Sequence, residues 1–296
     1  MGSEQRKGGT ELGRFLRARR TQVTPAQVGL PIGPGIRRTP GLRREEIATL
    51  AGVSIDYYIR LERGTEYRPS PAVVDALARA LLLDEVEHEH LRDLVSRADA
   101  RPTRAPAVPD PTLSPGVELL LESLRPNPAH IVDRSMQVLA ANPAAQRLYP
   151  GLHEWPADQR NTARYVFLHP AARSLFDDWD GAVRGCVARL RALAGTEPDA
   201  PDLAKLVGEL LLKSPEFSRI WEQYEVKGSP SGRKVFHHPE VGEFGLGFQS
   251  MLLEGTPGHR LVTYFAEPGT PDHDAMVLLD MAGAQERAES EAQKKA

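Results

Sequence analysis

The sequence predicts an α+β chain in two parts: an N-terminal all-α bundle of about five helices, then a domain with an antiparallel sheet and covering helices. Three observations predict it. Residues 10–97 carry apolar positions at helical spacing, punctuated by capping residues and glycines. Residues 98–116, ADARPTRAPAVPDPTLSPG, are proline-rich and lack a sustained apolar period, so they read as a semi-stiff linker. Beyond them come two short apolar runs, a long helical middle and three alternating runs split by turn signals, an order that suits a single antiparallel sheet.

In order along the chain, residues 1–9 are polar and glycine-rich and are expected to be disordered. TELGRFLRARRTQ follows, with Leu12, Phe15 and Leu16 on one side, arginines on the other, and Thr10 as its cap. TPAQVGLPIGPGIRRTPG has too many prolines and glycines for a helix and reads as an extended loop that carries Arg37 and Arg38. Residues 42–61, LRREEIATLAGVSIDYYIRL, then read as two short helices folded about Gly52. Ile47, Leu50 and Ala51 share a face of the first, and Ala48 is small enough for close approach. Gly52 tolerates the left-handed conformation, Val53 plugs the corner, Ser54 caps the second helix, and Tyr58 and Leu61 point inward. Small residue, glycine, apolar plug, cap and apolar pair within about twenty positions form a helix-turn-helix pattern. Tyr58, where an aliphatic side chain is commoner, demands a roomier core. Gly64 ends the second helix. Ser70 with Pro71 starts another, and Asp84 with Glu87 has capping-box spacing for a fifth.

The net charge of -3 conceals an asymmetry. Residues 1–66 hold twelve basic and seven acidic side chains, a net of about +5, which leaves about -8 for the rest. A basic head favours phosphate at one end of the chain, although a merely solvated basic face would have the same composition. With a second helix lying in a major groove, its N-terminal outward side chains, Ser54, Asp56, Tyr57 and Arg60, are the candidates for reading bases. Arg60 is the best placed, because a guanidinium matches the two acceptors of guanine. Arg38, Arg43, Arg44 and Arg68 are candidates for phosphate contacts, which position without specifying.

In the second part, Ser114 and Pro115 start a helix, and AHIVDRSMQVLAANPAAQRLYP reads as a hairpin followed by a helix capped by Asn142. The middle, to about residue 224, is helical. RKVFHHP, EFGLGFQSMLLE and HRLVTYFAE then form a meander, and residues 283–296 are expected to be a disordered tail. Phe167, Trp179, Val183, Trp221, Phe248 and Tyr264 are placed where helices face the sheet, either as core or as the wall of an apolar ligand pocket, with Arg160, Asn161 and His238 as its polar contacts. His237 and His238 are adjacent on a strand and point to opposite faces, so they cannot both chelate one metal. No metal and no cofactor is expected.

These motifs, RRTPGLRREEIATLAGVSIDYYIRLERG, RPSPAVVDALARAL, VLAANPAAQRLY, RNTARYVFLHPAAR, FHHPEVGEF and VTYFAEPGTP, together resemble the MmyB-like family of transcription regulators, from about Leu12 to Asp280. That family joins a Cro/C1-type (XRE) helix-turn-helix to a PAS-like ligand-binding domain. The resemblance implies operator DNA as partner, a homodimer, and a fatty-acid-like ligand in the second domain. The implied domains are 10–97, which binds DNA, and 117–282, which is PAS-like.

Other classes are less well served. No stretch approaches the ~20 apolar residues of a membrane helix, the start has no secretory h-region, and the lone Cys186 can form no internal disulfide, which points to the cytoplasm. No G-x-S-x-G elbow or phosphate loop after a strand is present, and GEFGLGF is no dinucleotide fingerprint, so the expectation is not an enzyme. The competing expectation is a lipid-binding or small-molecule-binding protein whose helical head contacts a protein partner.

Overall fold

A computed structural model of the chain describes residues 10–31, 41–65, 68–99, 113–197, 200–223 and 231–295. The expectations for residues 1–9, for Arg37 and Arg38 and for most of the linker lie outside these. The described chain forms two compact units.

The first unit contains α1 (Glu11–Gln22), α2 (Arg44–Leu50), α3 (Ile55–Arg63), α4 (Pro71–Ala80) and α5 (Glu85–Asp99). Hydroxyls cap three of these helices: Thr10 accepts from Gly13, Ser54 from Tyr57 and Ser70 from Val73. Asp84 and Glu87 exchange backbone bonds at the start of α5, so each helix entry is fixed by local chemistry. Phe15, Leu16, Leu42, Ile47, Tyr58, Leu61, Leu77, Leu81 and Leu91 are all fully buried, and each contributes on the order of 1.5–3 kcal/mol by leaving water. Gly13 sits where α1 crosses α3; a Cβ there would overlap the Glu62 carbonyl oxygen.

The second unit opens with α6 (Pro115–Ser123), the strands β1 (Ala129–Val132) and β2 (Val138–Ala141), and α7 (Pro143–Leu148). Ser114 precedes α6 but makes no side-chain capping bond. The turn between the strands is held by the buried Asp133 carboxylate, which accepts from Ser135 N, Ser135 Oγ and Gln137 N. In the chain the helices α8 (Thr162–Leu168), α9 (Ala172–Leu175), α10 (Trp179–Thr196), α11 (Pro201–Lys213) and α12 (Pro215–Gln223) follow, and of α10 and α12 only the N-terminal parts belong to this unit. Then β3 (Ser231–His238), β4 (Gly242–Leu252) and β5 (Arg260–Phe265) complete an antiparallel sheet of order β2-β1-β5-β4-β3. The register sets His130 beside Val262, Phe248 beside Tyr264, Gly232 beside Phe248, and Phe236 beside Phe244, all on one face. No described helix is long and apolar enough to cross a membrane.

Two domain boundaries differ from expectation. Residues 283–295 are not a disordered tail but the end of α13 (Pro271–Lys295). Gly283 packs on the backbone of Pro143, and Arg147 bridges Glu286 and Glu240 at 2.6 and 2.7 Å, so tertiary contacts order a stretch whose own composition is polar. The block 117–282 is also not one unit, because Val187–Ala200 and residues 219–223 group with the first. There Gly195 lies against Leu94 and His90, and Arg191 stacks 3.7 Å over the Trp221 ring.

Candidate functional sites

In the first unit, Gly52 takes φ +66°, and the turn closes through Val53 N to Ala48 O at 2.9 Å. Tyr58, Leu61 and Ile47 hold α3 against the bundle, and Tyr58 finds room because its hydroxyl reaches toward Leu16 O. A charged network fixes the same helix. Glu62, 1% exposed, accepts from Arg20 Nε at 2.6 Å and from Arg44 Nε at 2.7 Å, while Arg20 Nη1 donates to Leu42 O at 2.7 Å. Burial works to raise the Glu62 pKa, but the bonds and charges of Arg20 and Arg44 outweigh it and hold the carboxyl below its usual range. One carboxylate thus ties α1, α2 and α3 together.

This leaves the start of α3 as a presented edge. Ser54, Ile55, Asp56 and Arg60 are exposed and Tyr57 is half-buried, with the Arg60 guanidinium 5.6 Å from the Tyr57 ring. Arg43 is exposed, with Glu45 at 3.7 Å, and Arg68 is exposed as well. Arg44 is half committed, its Nε being bound to Glu62, so its first task is to position α3. Glu62 itself escaped the sequence reading, although Tyr58, Leu61 and Glu62 recur at helical spacing and so mark a carboxylate on the buried stripe.

In the second unit, the helices cover the sheet face that carries His130, Tyr264, Phe236 and Phe248. Tyr149 and Tyr264 join their hydroxyls at 2.5 Å, and the Tyr149 ring meets Tyr165 edge-on at 5.5 Å. Beside them His130, Val138, Ala141, Ala145, Leu152, His153 and Thr162 wall a crevice with about 170 Å³ between atoms, nowhere wide enough for a water molecule. Burial, with the nearby charges of Lys234 and His153, takes His130 down to about 3; burial and the Arg160 charge take His153 to about 4. Both imidazoles are neutral at pH 7, which keeps the crevice uncharged.

The expected pocket residues do not all meet there. Tyr264 and Phe248 line the sheet face, and Val183 is fully buried in α10. Phe167 and Trp179 line a separate surface groove, where Arg173 stacks 4.2 Å over Trp179 and Phe167 packs edge-on against Phe217. Trp221 belongs to the first unit. Arg160 donates to Trp155 O and His153 O, both at 2.8 Å. Asn161 caps α8 and donates to Ser135 O, and His238 bonds Arg147 O, so the polar three already serve the fold. His130, Tyr149 and His153 were missed. The signal for His130 was its place in period with Val132 on a short apolar strand, while nothing local distinguishes Tyr149 from an ordinary helix-end aromatic.

Residues 11–91 match a helix-turn-helix domain, and residues 113–279, more than half the chain, match the MmyB-like transcription regulator ligand binding domain. The chain belongs to the MmyB-like transcription regulators. Among curated proteins none matches it. An MmyB-like regulator of this layout is a DNA-binding transcription regulator with a ligand-binding domain. In this MmyB-like chain the presented edge of α3 belongs to the helix-turn-helix match, and the aromatic sheet face belongs to the ligand-binding match.

Proposed function

We propose that the protein is a sequence-specific operator-binding regulator, a cytoplasmic homodimer without catalytic activity, whose DNA affinity changes when a small apolar, fatty-acid-like molecule enters the crevice on the sheet. The observation that carries the DNA reading is the α3 edge, where Ser54, Asp56 and Arg60 are exposed on a helix locked from behind by Glu62. Ser54, Asp56, Tyr57 and Arg60 read bases, and Arg43 and Arg68, with a share from Arg44, contact phosphates.

For the ligand, the crevice is walled mainly by aliphatic side chains (Val138, Ala141, Ala145, Leu152) with Tyr149, and its two histidines are neutral, which favours an apolar chain. The crevice is nowhere wide enough even for a water molecule, far below the ~300–1,000 Å³ of ordinary ligand pockets. An acyl chain therefore enters only as side chains such as Tyr149 and Leu152 move aside. That makes the ligand selective for a widened state, which is the differential affinity a switch requires.

The experiment is titration of the protein with its own upstream DNA and with a scrambled duplex across a salt series, with and without tetradecanoate. A specific complex that weakens steeply with salt and shifts with tetradecanoate is expected. No preference over scrambled DNA, or affinity indifferent to salt, overturns the operator reading. A complex that ignores every apolar ligand overturns the switch.

A further inference from the structure

The helix α13 carries two stripes. One faces its own unit: Ala275, Met276, Leu279, Asp280 and Gly283 are buried, with Gly283 against the Pro143 carbonyl. The other faces away. Asp274, Leu278, Met281, Gln285, Ala288 and Ala292 are all exposed, and they recur in steps of four, three, four, three and four residues. At about 100° per residue this set shares one side of the helix, opposite the buried stripe. Single exposed leucines are ordinary on a protein surface. Here Leu278 and Met281, 56% and 63% exposed, stand in a run of alternating four- and three-residue steps, which is the seam by which one helix packs along another.

The helix α6 lies beside this seam. Arg125, just beyond the end of α6, meets Asp280 at 2.8 Å, and Glu122 meets Arg287 at 2.6 Å, so the two helices run antiparallel. Leu119, about 200° round α6 from the buried Leu121, adds a side chain that is 72% exposed.

The occupant that fits is a second copy of the chain. A seam of this kind needs a helix with the same spacing, and α13 supplies one to itself across a two-fold axis, where a single patch serves both partners. Gln285 sits mid-seam, and its amide is self-complementary. One N–H goes to Glu289 Oε1 at 3.0 Å; the other N–H and the carbonyl oxygen match the same groups on a facing Gln285. A lone polar residue in such a seam fixes register and the number of helices. The size also suffices. At about 1.5 Å per residue and about 10 Å of width, α13 and α6 present on the order of 500 Å² per protomer, so a pair covers about 1,000 Å², where specific interfaces begin.

We propose that α13 is the dimerisation helix of this protein, paired with α13 of a second copy about a two-fold axis at Gln285, with Leu119 at the margin. This rests on the reading of the protein as a homodimer and adds which surface joins the two chains.

The test is sedimentation equilibrium of the full chain, of the double variant Leu278→Glu/Met281→Glu, and of Leu212→Glu, an exposed leucine of α11 outside the seam, together with mild oxidation of Gln285→Cys. The double variant is expected to raise the dimer dissociation constant at least about a hundredfold, with an unchanged circular dichroism spectrum because both side chains lie on the surface. Leu212→Glu dimerises as the wild type does. Gln285→Cys gives a disulfide-linked dimer on oxidation, and the wild type, whose lone Cys186 is buried, gives none. A dimer that survives the double variant, that is lost equally in Leu212→Glu, or that leaves Gln285→Cys uncrosslinked overturns this surface and leaves the homodimer standing. A wild type that is monomeric at every concentration overturns both.

Discussion

Replacing Glu62 by alanine is expected to unfold much of the DNA-reading bundle. The carboxylate is 1% exposed and takes bonds from Arg20 and Arg44, and Arg20 is itself only 7% exposed. Removing it leaves a buried guanidinium without its carboxylate, held by neutral oxygens such as the Leu42 carbonyl, a loss of roughly 3–5 kcal/mol. Set against a total of about 5–15 kcal/mol for a domain, that is a large fraction. At about 4–8 °C per kcal/mol for a bundle of this size, the melting temperature falls by at least about 12 °C. The isosteric Glu62→Gln keeps the shape and an acceptor and is expected to lose less.

The same pair of variants tests the electrostatics. Because the folded pKa of Glu62 lies below its unfolded value of about 4.3, the network's contribution is fully present above that value and is lost as pH falls through the lower folded one. Wild-type stability should therefore drop more steeply below about pH 4.5 than that of Glu62→Gln, which has no carboxyl to protonate. Thermal melts followed by circular dichroism from pH 7 to pH 3 measure both effects. A fall of less than about 4 °C for Glu62→Ala, equivalent to about 1 kcal/mol or less, would refute the claim that this carboxylate ties the three helices together.

Three further outcomes are expected. Arg60→Ala should relax preference at one base position by about 1–3 kcal/mol, whereas Arg43→Ala should weaken all sequences alike and reduce the salt slope by about 1; competition binding with single-base variants of the operator separates them. Gly13→Ala should cost about 1–3 kcal/mol through overpacking against the Glu62 carbonyl, more than Gly52→Ala at about 1 kcal/mol, where the strain is φ +66° with open space around it; a reversed order in denaturant melts contradicts the packing argument. His130, lowered to about 3 by burial with the charges of Lys234 and His153, is neutral when folded and protonates near 6.5 when unfolded. It therefore removes stability as pH falls below about 6.5, at up to about 1.4 kcal/mol per pH unit. Urea unfolding of the second unit should show a shallower pH slope for His130→Gln, and an identical slope counts against a buried neutral imidazole.

Much of the architecture was legible because it is written in local chemistry. Thr10, Ser54, Ser70, Asn142 and the Asp84–Glu87 pair each act on backbone groups two or three residues away, so a reader of the chain meets donor and acceptor together. The turn at Gly52, the hairpin and the meander have the same character. The presented edge of α3 was legible for a related reason: once Tyr58 and Leu61 are known to face inward, 3.6-residue periodicity places Ser54, Asp56 and Arg60 outward. By itself, then, the sequence determined the helix-turn-helix, the α+β order and the basic head.

Tertiary structure decided what depends on groups far apart in the chain. Arg20 and Glu62 are 42 positions apart and Tyr149 and Tyr264 are 115 apart, and no periodicity links them. Aromatic content alone could not sort Trp221, Trp179 and Tyr264 into three separate environments, because burial depends on which helix covers which face. Likewise the end of α13 is built of residues that favour helix, but where it docks is decided by Pro143 and by Arg147, itself braced by Glu240, which are far from it in sequence.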